Sequence, residues 1–496
     1  MSTGSVPAPE EAGGLRPYLA DAIAGLSVAF VLVPQALAYA ELAGLPAHRG
    51  LLAAAAAPIA ASFFVSSRYL QTGPVALTSL LTFAALEGRA VLGSADYVLL
   101  AVLLAGVVGV VRATIGLVRA GRVAHLLSEP VLRGFTLAAV FLIVASQLPS
   151  ALGIPSRGQG LVPDAFFALG GLRDAGWREG QAILLSTVTL GLMLGGRRLH
   201  PRFPGILVAM VGGLLVSGLI GYEGAVVGTI EKGSWGMPGP LPWERVPELL
   251  VPGVIIALVG FSEAVAISQT FAEKDGDEWN ANQEFVSQGM GNLASAAAGA
   301  FPIGGSFSRS ALNRAAGARS RLSGAVTGVA LLIFLPFSSV IAPLPKAMLG
   351  AAVIGAVLPL LDPRPLLALV RKTPVQGAVG VFTLGLTVAL APRIELAVVA
   401  GVALALTLSL ADRRSIEVTL DRGGEKPLLR PTGLLWYGSA GRLERRVVEA
   451  LRGEECVSAQ VDLSDLSGAG GTGRALVQDV LRRVRRRGFE IEVLGN

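Results

Sequence analysis

Long apolar stretches separated by short polar loops make up most of the chain. Because about 20 apolar residues are needed to cross a bilayer as a helix, these stretches predict membrane segments. Fourteen are predicted, at residues 20–42, 50–66, 72–87, 95–118, 130–149, 181–196, 203–221, 249–272, 286–300, 305–315, 322–342, 346–361, 375–391 and 394–411. The third and the tenth are shorter than a full span. The pattern predicts an all-α polytopic membrane domain over residues 16–411, preceded by a tail at residues 1–15.

Positive charges in the connecting loops predict the orientation of these segments. If the N-terminus lies inside the cell, the loops on the cytoplasmic side contain more Lys and Arg than the loops on the other side. Such a bias is typical of cytoplasmic loops. We therefore expect an even number of spans, both termini in the cytoplasm, and a location in the plasma membrane, the inner membrane of the cell.

The fourteen segments divide into two sets of seven. A loop rich in Gly, Pro and Trp, residues 222–248, separates the sets. Because each set has an odd number of spans, the two halves must have opposite orientations. Their third segments then approach the middle of the membrane from opposite faces, which is the inverted-repeat arrangement of secondary transporters. This repeat is inferred from positions and not from sequence identity between the halves.

The two short segments are broken by glycine or proline and are rich in hydroxyl groups. One is FPIGGSFSRSALN at residues 301–313, and the other is QTGPVALTS at residues 71–79. A helix that begins after Gly304 and Gly305 directs its free backbone N–H groups and its positive end forward, with Arg309 one turn further on. Paired short segments of this kind predict a binding site for an anion near the midplane.

The sequence after residue 411 is charged and has no run long enough to span a membrane. It predicts a separate cytoplasmic α/β domain over residues 412–496. Strands are expected at residues 415–420, 433–437, 457–463 and 489–494, and helices at residues 443–452 and 473–487. The second helix is strongly basic. Its charges are interpreted as a solvated face, with a contact to lipid headgroups or to a partner as the alternative.

Composition supports a membrane protein and excludes several kinds of function. The chain is 52% hydrophobic and 15% charged, whereas soluble domains have about 25% charged residues. One cysteine and three scattered histidines favour neither a disulfide framework nor a metal site. The net charge of +6 is explained by loops and tail, so no nucleic-acid partner is expected. We also expect no cofactor and no enzyme activity, because no catalytic triad or phosphate-binding loop is found. The polar start contains no recognisable signal peptide.

Four sequence motifs resemble those of the sulfate permease family, also called solute carrier family 26. They are DAIAGLSVAFVLVPQALAYAELAG at 21–44, SSRYLQTGPVALTS at 66–79, LSEPVLRGFTLAAVFLIVASQ at 127–147, and NQEFVSQGMGNLASAAAGAFPIGGSFSRSALNRAAG at 282–317. The resemblance implies fourteen segments in a seven-plus-seven inverted repeat with core and gate domains. It also implies a homodimer that moves anions by an elevator-like motion.

The tail resembles a sulfate transporter and anti-sigma-factor antagonist (STAS) domain. The sequence VDLSDLSGAGGTGRAL, residues 461–476, stands at the place of that domain's signature. It departs from the signature because Gly470 stands where an aspartate is usual. Phosphorylation of Ser467 or Thr472 is therefore disfavoured, and a docking or assembly role is the preferred interpretation.

Arg309 is the main candidate for anion binding. A guanidinium inside a membrane segment usually faces a polar cavity or a counter-charge, and it can bind two oxygens of a carboxylate or a sulfate. Ser308 and the backbone from Phe307 onward are expected to add donors. The alternatives for Arg309 are a structural pair with Glu263 or a side chain that snorkels to the membrane surface. The alternative for Ser308 is a hydrogen bond to its own helix.

The third segment is expected to add backbone donors to the same site. The N–H groups of Val75 and Ala76 follow Gly73 and Pro74, and the N–H that Pro74 lacks is not needed in the first turn of a helix. Thr72 is predicted to cap this helix. The alternative is an ordinary Gly-Pro helix start.

Two polar residues of the first span share one helix face. Gln35 and Tyr39 are four residues apart. In the family that the chain resembles, this face lines the anion site, so the resemblance implies that both residues line it here. Hydrogen bonding between helices is the alternative role.

Two carboxylates, Glu263 and Glu41, are placed at membrane depth and are candidates for coupling transport to protons. In apolar surroundings such a group can carry a proton or neutralise Arg309. Sodium is a possible coupling ion in its place. For Glu41, an ordinary position at the membrane interface is the alternative.

These features predict a secondary active transporter of small anions, by proton-coupled symport of a dicarboxylate, sulfate or bicarbonate. The expected partners are the anion, a proton, membrane lipid and a second copy of the chain. The alternatives are an anion channel or exchanger, and a nucleobase-type permease of the same architecture. The sequence leaves the anion open. No second buried arginine is expected near the site, which disfavours tight binding of a divalent anion.

Overall fold

The computed structural model describes most of the chain. The described residues are 16–121, 123, 128–158, 160–199, 203–228, 239–411, 417–421, 427–434, 437–453, 458–464, 466–467, 477, 480–481, 483–485 and 488–494. The predicted tail at residues 1–15 lies outside them.

The first 411 residues are almost entirely helical in the described part. The α-helices are α1 (Arg16–Leu42), α2 (His48–Ser62), α3 (Ala76–Leu86), α4 (Ala95–Leu117), α5 (Glu129–Leu152), α6 (Leu161–Gly171), α7 (Trp177–Leu199), α8 (Gly205–Ile220), α9 (Val246–Asp275), α10 (Ala281–Ala297), α11 (Phe307–Ala315), α12 (Leu322–Phe334), α13 (Lys346–Val357), α14 (Arg364–Lys372), α15 (Pro374–Ala389) and α16 (Ile394–Ala411). Two short strands interrupt them, β1 (Thr72–Gly73) before α3 and β2 (Gly304–Gly305) before α11.

The length and apolar character of these helices fit a polytopic membrane protein. Six described stretches are long and apolar enough to cross a membrane: Pro17–Leu42, Ala95–Leu117, Glu129–Leu152, Trp243–Asp275, Leu322–Ile341 and Lys346–Arg371. Shorter apolar helices include α3 and α15. Every predicted segment contains a helix, so the predicted fold class, fourteen segments in two sets of seven, is confirmed.

Two helices were not predicted. Helix α6 is 11 residues long and lies between the fifth and sixth predicted segments. Helix α14, RPLLALVRK, has nine residues and lies between the twelfth and thirteenth. Neither has an apolar run long enough to span a bilayer, and neither follows the Gly-Pro or Gly-Gly pair that marks α3 and α11.

Two compact units are formed by the chain, one from residues 1–121 with 140–359 and the other from residues 122–139 with 360–496. In the first unit, α10 packs closely on α4 through small residues. A Cβ atom on Gly289 would lie 2.5 Å from the backbone nitrogen of Ala113, and one on Gly116 would lie 2.5 Å from the carbonyl oxygen of Asn282. Glycine at these positions lets the two helix backbones approach each other.

The second unit contains the tail, a small α/β domain. Its elements are β3 (Glu417–Asp421), β4 (Leu428–Leu434), α17 (Tyr437–Gly453), β5 (Ser458–Asp462), β6 (Leu466–Ser467) and β7 (Glu490–Leu494). The strand order is β3-β4-β5-β7, with β3 antiparallel to β4, the other neighbours parallel, and β6 paired with β4. Leu429, Leu451 and Val461 are in its buried core.

The predicted elements of the tail are largely correct. The first, third and fourth predicted strands overlap β3, β5 and β7, and the first predicted helix lies within α17. The strand predicted at residues 433–437 was wrong in position, because β4 ends at Leu434 and α17 already begins at Tyr437. In the stretch predicted as the second helix, the described residues 477, 480, 481 and 483–485 are helical. Gly470 and Thr472 lie outside the described residues.

Candidate functional site

The two short segments meet in an antiparallel pair of strands. In this pair, Thr72 of β1 is opposite Gly305 of β2, and Gly73 is opposite Gly304. The backbone N–H of Ser306 extends the pairing by donating to the carbonyl of Gln71 at 3.0 Å. Helices α3 and α11 both begin within three residues of this ribbon, at Ala76 and at Phe307. Their N-termini, where free N–H groups and positive dipole ends lie, are therefore brought close together.

Arg309 lies in the first turn of α11 and is only 1% exposed. Its Nη1 donates to Oε1 of Gln35 at 3.1 Å. Its Nε and Nη2 are buried and have no hydrogen-bond acceptor in the described part of the chain. Buried charged donors without a partner are strongly unfavourable. The Nε and Nη2 donors form the planar fork that binds two oxygens of one oxyanion.

Gly73 is the backbone neighbour of this guanidinium. A Cβ atom on Gly73 would lie 3.5 Å from Nη2 of Arg309, and its φ of +156° is rarely adopted by other residues. Glycine at this position therefore keeps the backbone of β1 close to the charged group of α11.

Helix α1 supplies the two predicted polar residues. Gln35 is buried and bonded to Arg309, while Tyr39, one turn later, is 6% exposed. Helix α1 contacts both α3 and α11. Tyr39 interacts electrostatically with Arg309 and Glu263. The structure thus brings Gln35, Tyr39 and Arg309 into one cluster.

Glu263 is carried on α9, which packs against β2. A Cβ atom on Gly305 would lie 3.3 Å from Cα of Ala264, the residue after Glu263. Glu263 interacts electrostatically with Arg309, but the two do not form an ion pair within 4 Å. Glu41, the other predicted carboxylate, pairs with Lys346 at 3.1 Å.

Thr72 does not cap α3, contrary to the prediction. The N-cap residue is Val75, in extended conformation, and α3 begins at Ala76. The Thr72 hydroxyl instead accepts a hydrogen bond from Nε2 of Gln288 at 2.7 Å. The reason is that Thr72 is held in β1, three residues before the N-cap, and its side chain faces α10. Thr72 also lines a small pocket beside β1, together with Ser62 and Leu70.

The start of α11 is capped by Ser306. Its hydroxyl accepts a hydrogen bond from the backbone N–H of Arg309 at 3.5 Å and lies 3.4 Å from the hydroxyl of Ser308. Ser308 and Phe307 are exposed. The ring of Phe307 stacks on Phe271 of α9, with centroids 5.9 Å apart. Phe307 can therefore offer its backbone N–H to the site, but its side chain is used for packing.

A second buried arginine, Arg112 of α4, was missed by the sequence analysis. It is fully buried and donates to three backbone carbonyls, those of Ala257 (3.0 Å), Ile303 (2.9 Å) and Ile256 (3.1 Å). The expectation of no second buried arginine near the site was therefore wrong. The signal was present, since an arginine inside an apolar span marks a buried polar function.

Helix α10 carries two further polar residues that hold the ribbon, and one of them, Gln288, was missed by the sequence analysis. Gln288 donates to the hydroxyl of Thr72, the first residue of β1. Asn292, one turn later, accepts from the backbone N–H of Ile303, which directly precedes β2, at 3.0 Å. One face of α10 thus fixes both segments.

Comparison with known proteins agrees with this architecture. The sequence profile of the sulfate permease family matches residues 18–383. A probable sulfate transporter of Mycobacterium tuberculosis is 33% identical over 348 residues, which cover 69% of this chain and 61% of that protein. The chain therefore spans less than two thirds of the length of that relative.

Solved structures show the same fold. The structure of SLC26A9 gives a TM-score of 0.73 at 19% identity, covering 97% of this chain and 85% of that one. The transmembrane domain of the cyanobacterial bicarbonate transporter BicA gives 0.65 at 23% identity, covering 79% and 98%. With a profile match over most of the membrane domain, the chain belongs to the sulfate permease family, whose members are membrane transporters and not enzymes.

Proposed function

We propose that the protein is a secondary active transporter that binds a small anion at the β1–β2 ribbon and carries it across the membrane. One observation carries the proposal: Arg309 is buried at two converging helix N-termini with its Nε and Nη2 donors unpartnered among the described residues. Helix N-termini and a buried guanidinium both favour negative charge. The site is therefore suited to an anion and unsuited to a cation.

The donors in the site favour an anion with two oxygens in one plane. Sulfate, bicarbonate and a small dicarboxylate all have such a pair, which the Nε and Nη2 donors of Arg309 can bind together. In this proposal Gln35 orients the guanidinium, and Tyr39 adds a hydroxyl. The backbone N–H groups of Val75, Ala76, Phe307 and Ser308 add donors from the two helix ends, and the Ser308 hydroxyl adds another.

Transport is proposed to follow alternating access by an elevator-like motion coupled to protons. Glu263 is the proposed proton carrier, because it interacts with Arg309 without pairing with it. Protonation of Glu263 would leave Arg309 more strongly positive for the incoming anion. Glu41 is a second candidate, and its proton uptake would compete with the ion pair to Lys346. Sodium is the alternative coupling ion.

The remaining parts of the proposal concern the whole chain. Residues 16–411 form the transporter domain, and residues 412–496 form a cytoplasmic STAS domain used for docking or assembly. The protein acts as a homodimer in the plasma membrane, surrounded by lipid, with both termini in the cytoplasm. The small α/β fold of the tail supports the second domain.

Uptake by purified protein in liposomes tests this function. We expect saturable uptake of at least one of sulfate, bicarbonate, oxalate, fumarate and succinate, and a loss of roughly a hundredfold in Arg309→Gln, as for a charge-assisted bond of about 3 kcal/mol. The matched control is Arg364→Gln, because the Arg364 side chain is 91% exposed. Equal uptake by wild-type protein and Arg309→Gln would contradict the proposal.

Four further measurements separate the alternatives. Countertransport of labelled anion indicates a carrier or exchanger, whereas large single-channel currents indicate a channel. Dependence of net uptake on an imposed proton gradient separates a symporter from an exchanger. Competition by uracil in place of sulfate would favour a nucleobase permease.

A further inference from the structure

Arg112 is buried beside the proposed anion site, but its hydrogen-bonding groups are already in use. Its Nε, Nη1 and Nη2 atoms all donate to backbone carbonyls, at 2.9 to 3.1 Å. Arg309, by contrast, has two nitrogen atoms without an acceptor among the described residues. The two arginines are therefore equally buried but differently occupied. Arg112 can act on a bound anion only through its charge and through the backbone that it holds.

We infer that Arg112 is a positioning residue that fixes the segment before β2 and shares with Arg309 the neutralisation of Glu263, which leaves a net positive charge on Arg309 for the anion. This inference rests on the proposed function. It adds a residue that the anion does not touch, and it gives that residue a role in affinity and in the preference for anion charge.

Contacts of Arg112 with residues on one face of α9 locate it relative to Glu263. Arg112 donates to the carbonyl of Ile256, and a Cβ atom on Gly260 would lie 2.6 Å from its Nη2. Ile256, Gly260 and Glu263 are at positions i, i+4 and i+7, which share one side of a helix. The guanidinium therefore lies about one helical turn from Glu263. Glycine at position 260 makes room for it.

The charge of Arg112 affects the balance between Glu263 and Arg309 at the site. Glu263 interacts electrostatically with Arg309 and, less strongly, with Arg112. With Glu263 ionised, the two arginines and the one carboxylate leave an excess of one positive charge. Without the charge of Arg112, Glu263 would neutralise Arg309 and compete with the anion for it. Interactions between charges are strong in such a buried place, so the competition would weaken anion binding.

The same guanidinium also fixes the backbone of the site. The carbonyl of Ile303 accepts from Arg112, and the N–H of Ile303 donates to Asn292. Both polar groups of this residue are thus held by side chains from α4 and α10. Ile303 directly precedes the strand that pairs with Gly73 and leads into α11. Arg112 therefore acts on Arg309 through both charge and geometry.

A charge-balance experiment tests the inference. Anion counterflow, which needs no proton gradient, is measured in liposomes for wild-type protein, Arg112→Lys, Arg112→Gln, Glu263→Gln and the double variant Arg112→Gln/Glu263→Gln. We expect Arg112→Gln to raise the KM for the anion about tenfold, a typical coupling for one buried contact. Arg112→Lys, which keeps the charge, should raise KM less. The double variant should recover most of the loss, because removal of Glu263 removes the competitor.

A purely structural Arg112 predicts a different result. In that case Arg112→Gln lowers the amount of folded protein or the Vmax, and the double variant is no better than the single one, which would overturn the inference. If Arg112→Gln does not fold, the double variant Arg112→Gln/Glu263→Gln decides. The inference expects it to recover folded protein, because it removes the buried carboxylate that Arg112 helps to neutralise, and a double variant that also fails to fold would overturn the inference.

The outcomes for the two proposals are distinct. Wild-type protein that takes up none of the tested anions contradicts the proposed function, and the inference with it. Wild-type uptake that depends on Arg309, combined with no recovery in the double variant, contradicts the inference alone.

Discussion

The segments before α3 and before α11 have the same backbone plan but different side chains. Each forms a two-residue strand, and the two strands pair with one another before leading into a short helix. The first segment has no charged side chain between Gln71 and Ser79, and its Thr72 hydroxyl is bonded to Gln288. The second carries Arg309, with two donors that have no acceptor among the described residues. The repeat thus supplies a symmetric backbone site, and one arginine makes it strongly positive.

The largest effect on stability and transport is expected from a substitution in the β1–β2 ribbon. A Cβ atom on Gly305 would lie 2.9 Å from the Leu70 side chain and 3.3 Å from the Ala264 backbone, whereas one on Gly73 would lie 3.5 Å from Arg309. We expect Gly305→Val to abolish uptake and to destabilise the protein by about 1–3 kcal/mol through overpacking. Thermal unfolding in detergent and uptake in liposomes measure this.

Gly73→Ala serves as the matched change in the other strand. It should retain the folded state better than Gly305→Val and raise the KM for the anion, because the added methyl group lies beside Nη2. If Gly305→Val is as stable and active as wild-type protein, the close packing of β2 has no functional importance.

The next largest effect is expected from Glu263, whose carboxylate interacts with Arg309 of the second segment. In wild-type protein an inward proton gradient should stimulate anion uptake, because in the proposed mechanism Glu263 takes up a proton as the anion binds. Glu263→Gln should transport down an anion gradient but lose the response to pH. Glu41→Gln, in which the ion pair to Lys346 is broken, is the comparison. If uptake by wild-type protein does not change with the proton gradient, proton coupling is excluded.

A smaller effect is expected from the hydroxyl of the first segment. Thr72→Val removes the acceptor of the Gln288 amide and leaves a buried donor unpaired, so we expect a loss of about 1–3 kcal/mol of stability. Thr72→Ser should retain most of the stability. The melting temperatures of the two variants test this, and equal values would show that the hydrogen bond contributes nothing measurable.

The smallest effect on the site is expected from the tail. Deletion of residues 413–496 should lower the amount of protein in the membrane or its turnover, because the proposed role of this domain is docking or assembly. The order of preference among anions should stay the same, since the described site residues all lie before residue 316. A changed order of preference would show that the tail shapes the site.

The sequence predicted the backbone of the site better than its surroundings. Glycines, a proline and an arginine in two short segments were enough to predict paired helix ends, because a membrane tolerates broken helices only where the backbone is buried in protein or lines a polar cavity. The partners of the ribbon were not predicted. Gln288, Asn292 and Arg112 lie in other helices, and which face of each helix points toward the ribbon depends on packing.

The errors in secondary structure have similar causes. Helices α6 and α14 are as short as α3 and α11, with 11 and nine residues, but they were missed because neither follows the Gly-Pro or Gly-Gly pair that marks α3 and α11. Thr72 was expected to cap α3, since a hydroxyl residue near a helix start is the common signal. The strand pairing with β2 keeps Thr72 in β1 and moves the helix start to Ala76. That pairing joins residues more than 230 positions apart, so local sequence could not reveal it.

The hydrogen bonds between Gln71 and Ser306 and within the ribbon tie the tips of α3 and α11 to one another. A displacement of either tip by itself would break them and leave buried amides unsatisfied. The N-terminal ends of α3 and α11 are therefore constrained to move as one unit. In the proposed transport cycle, a bound anion would cross the membrane as both helix ends move together. Movement of one helix end alone would not release it.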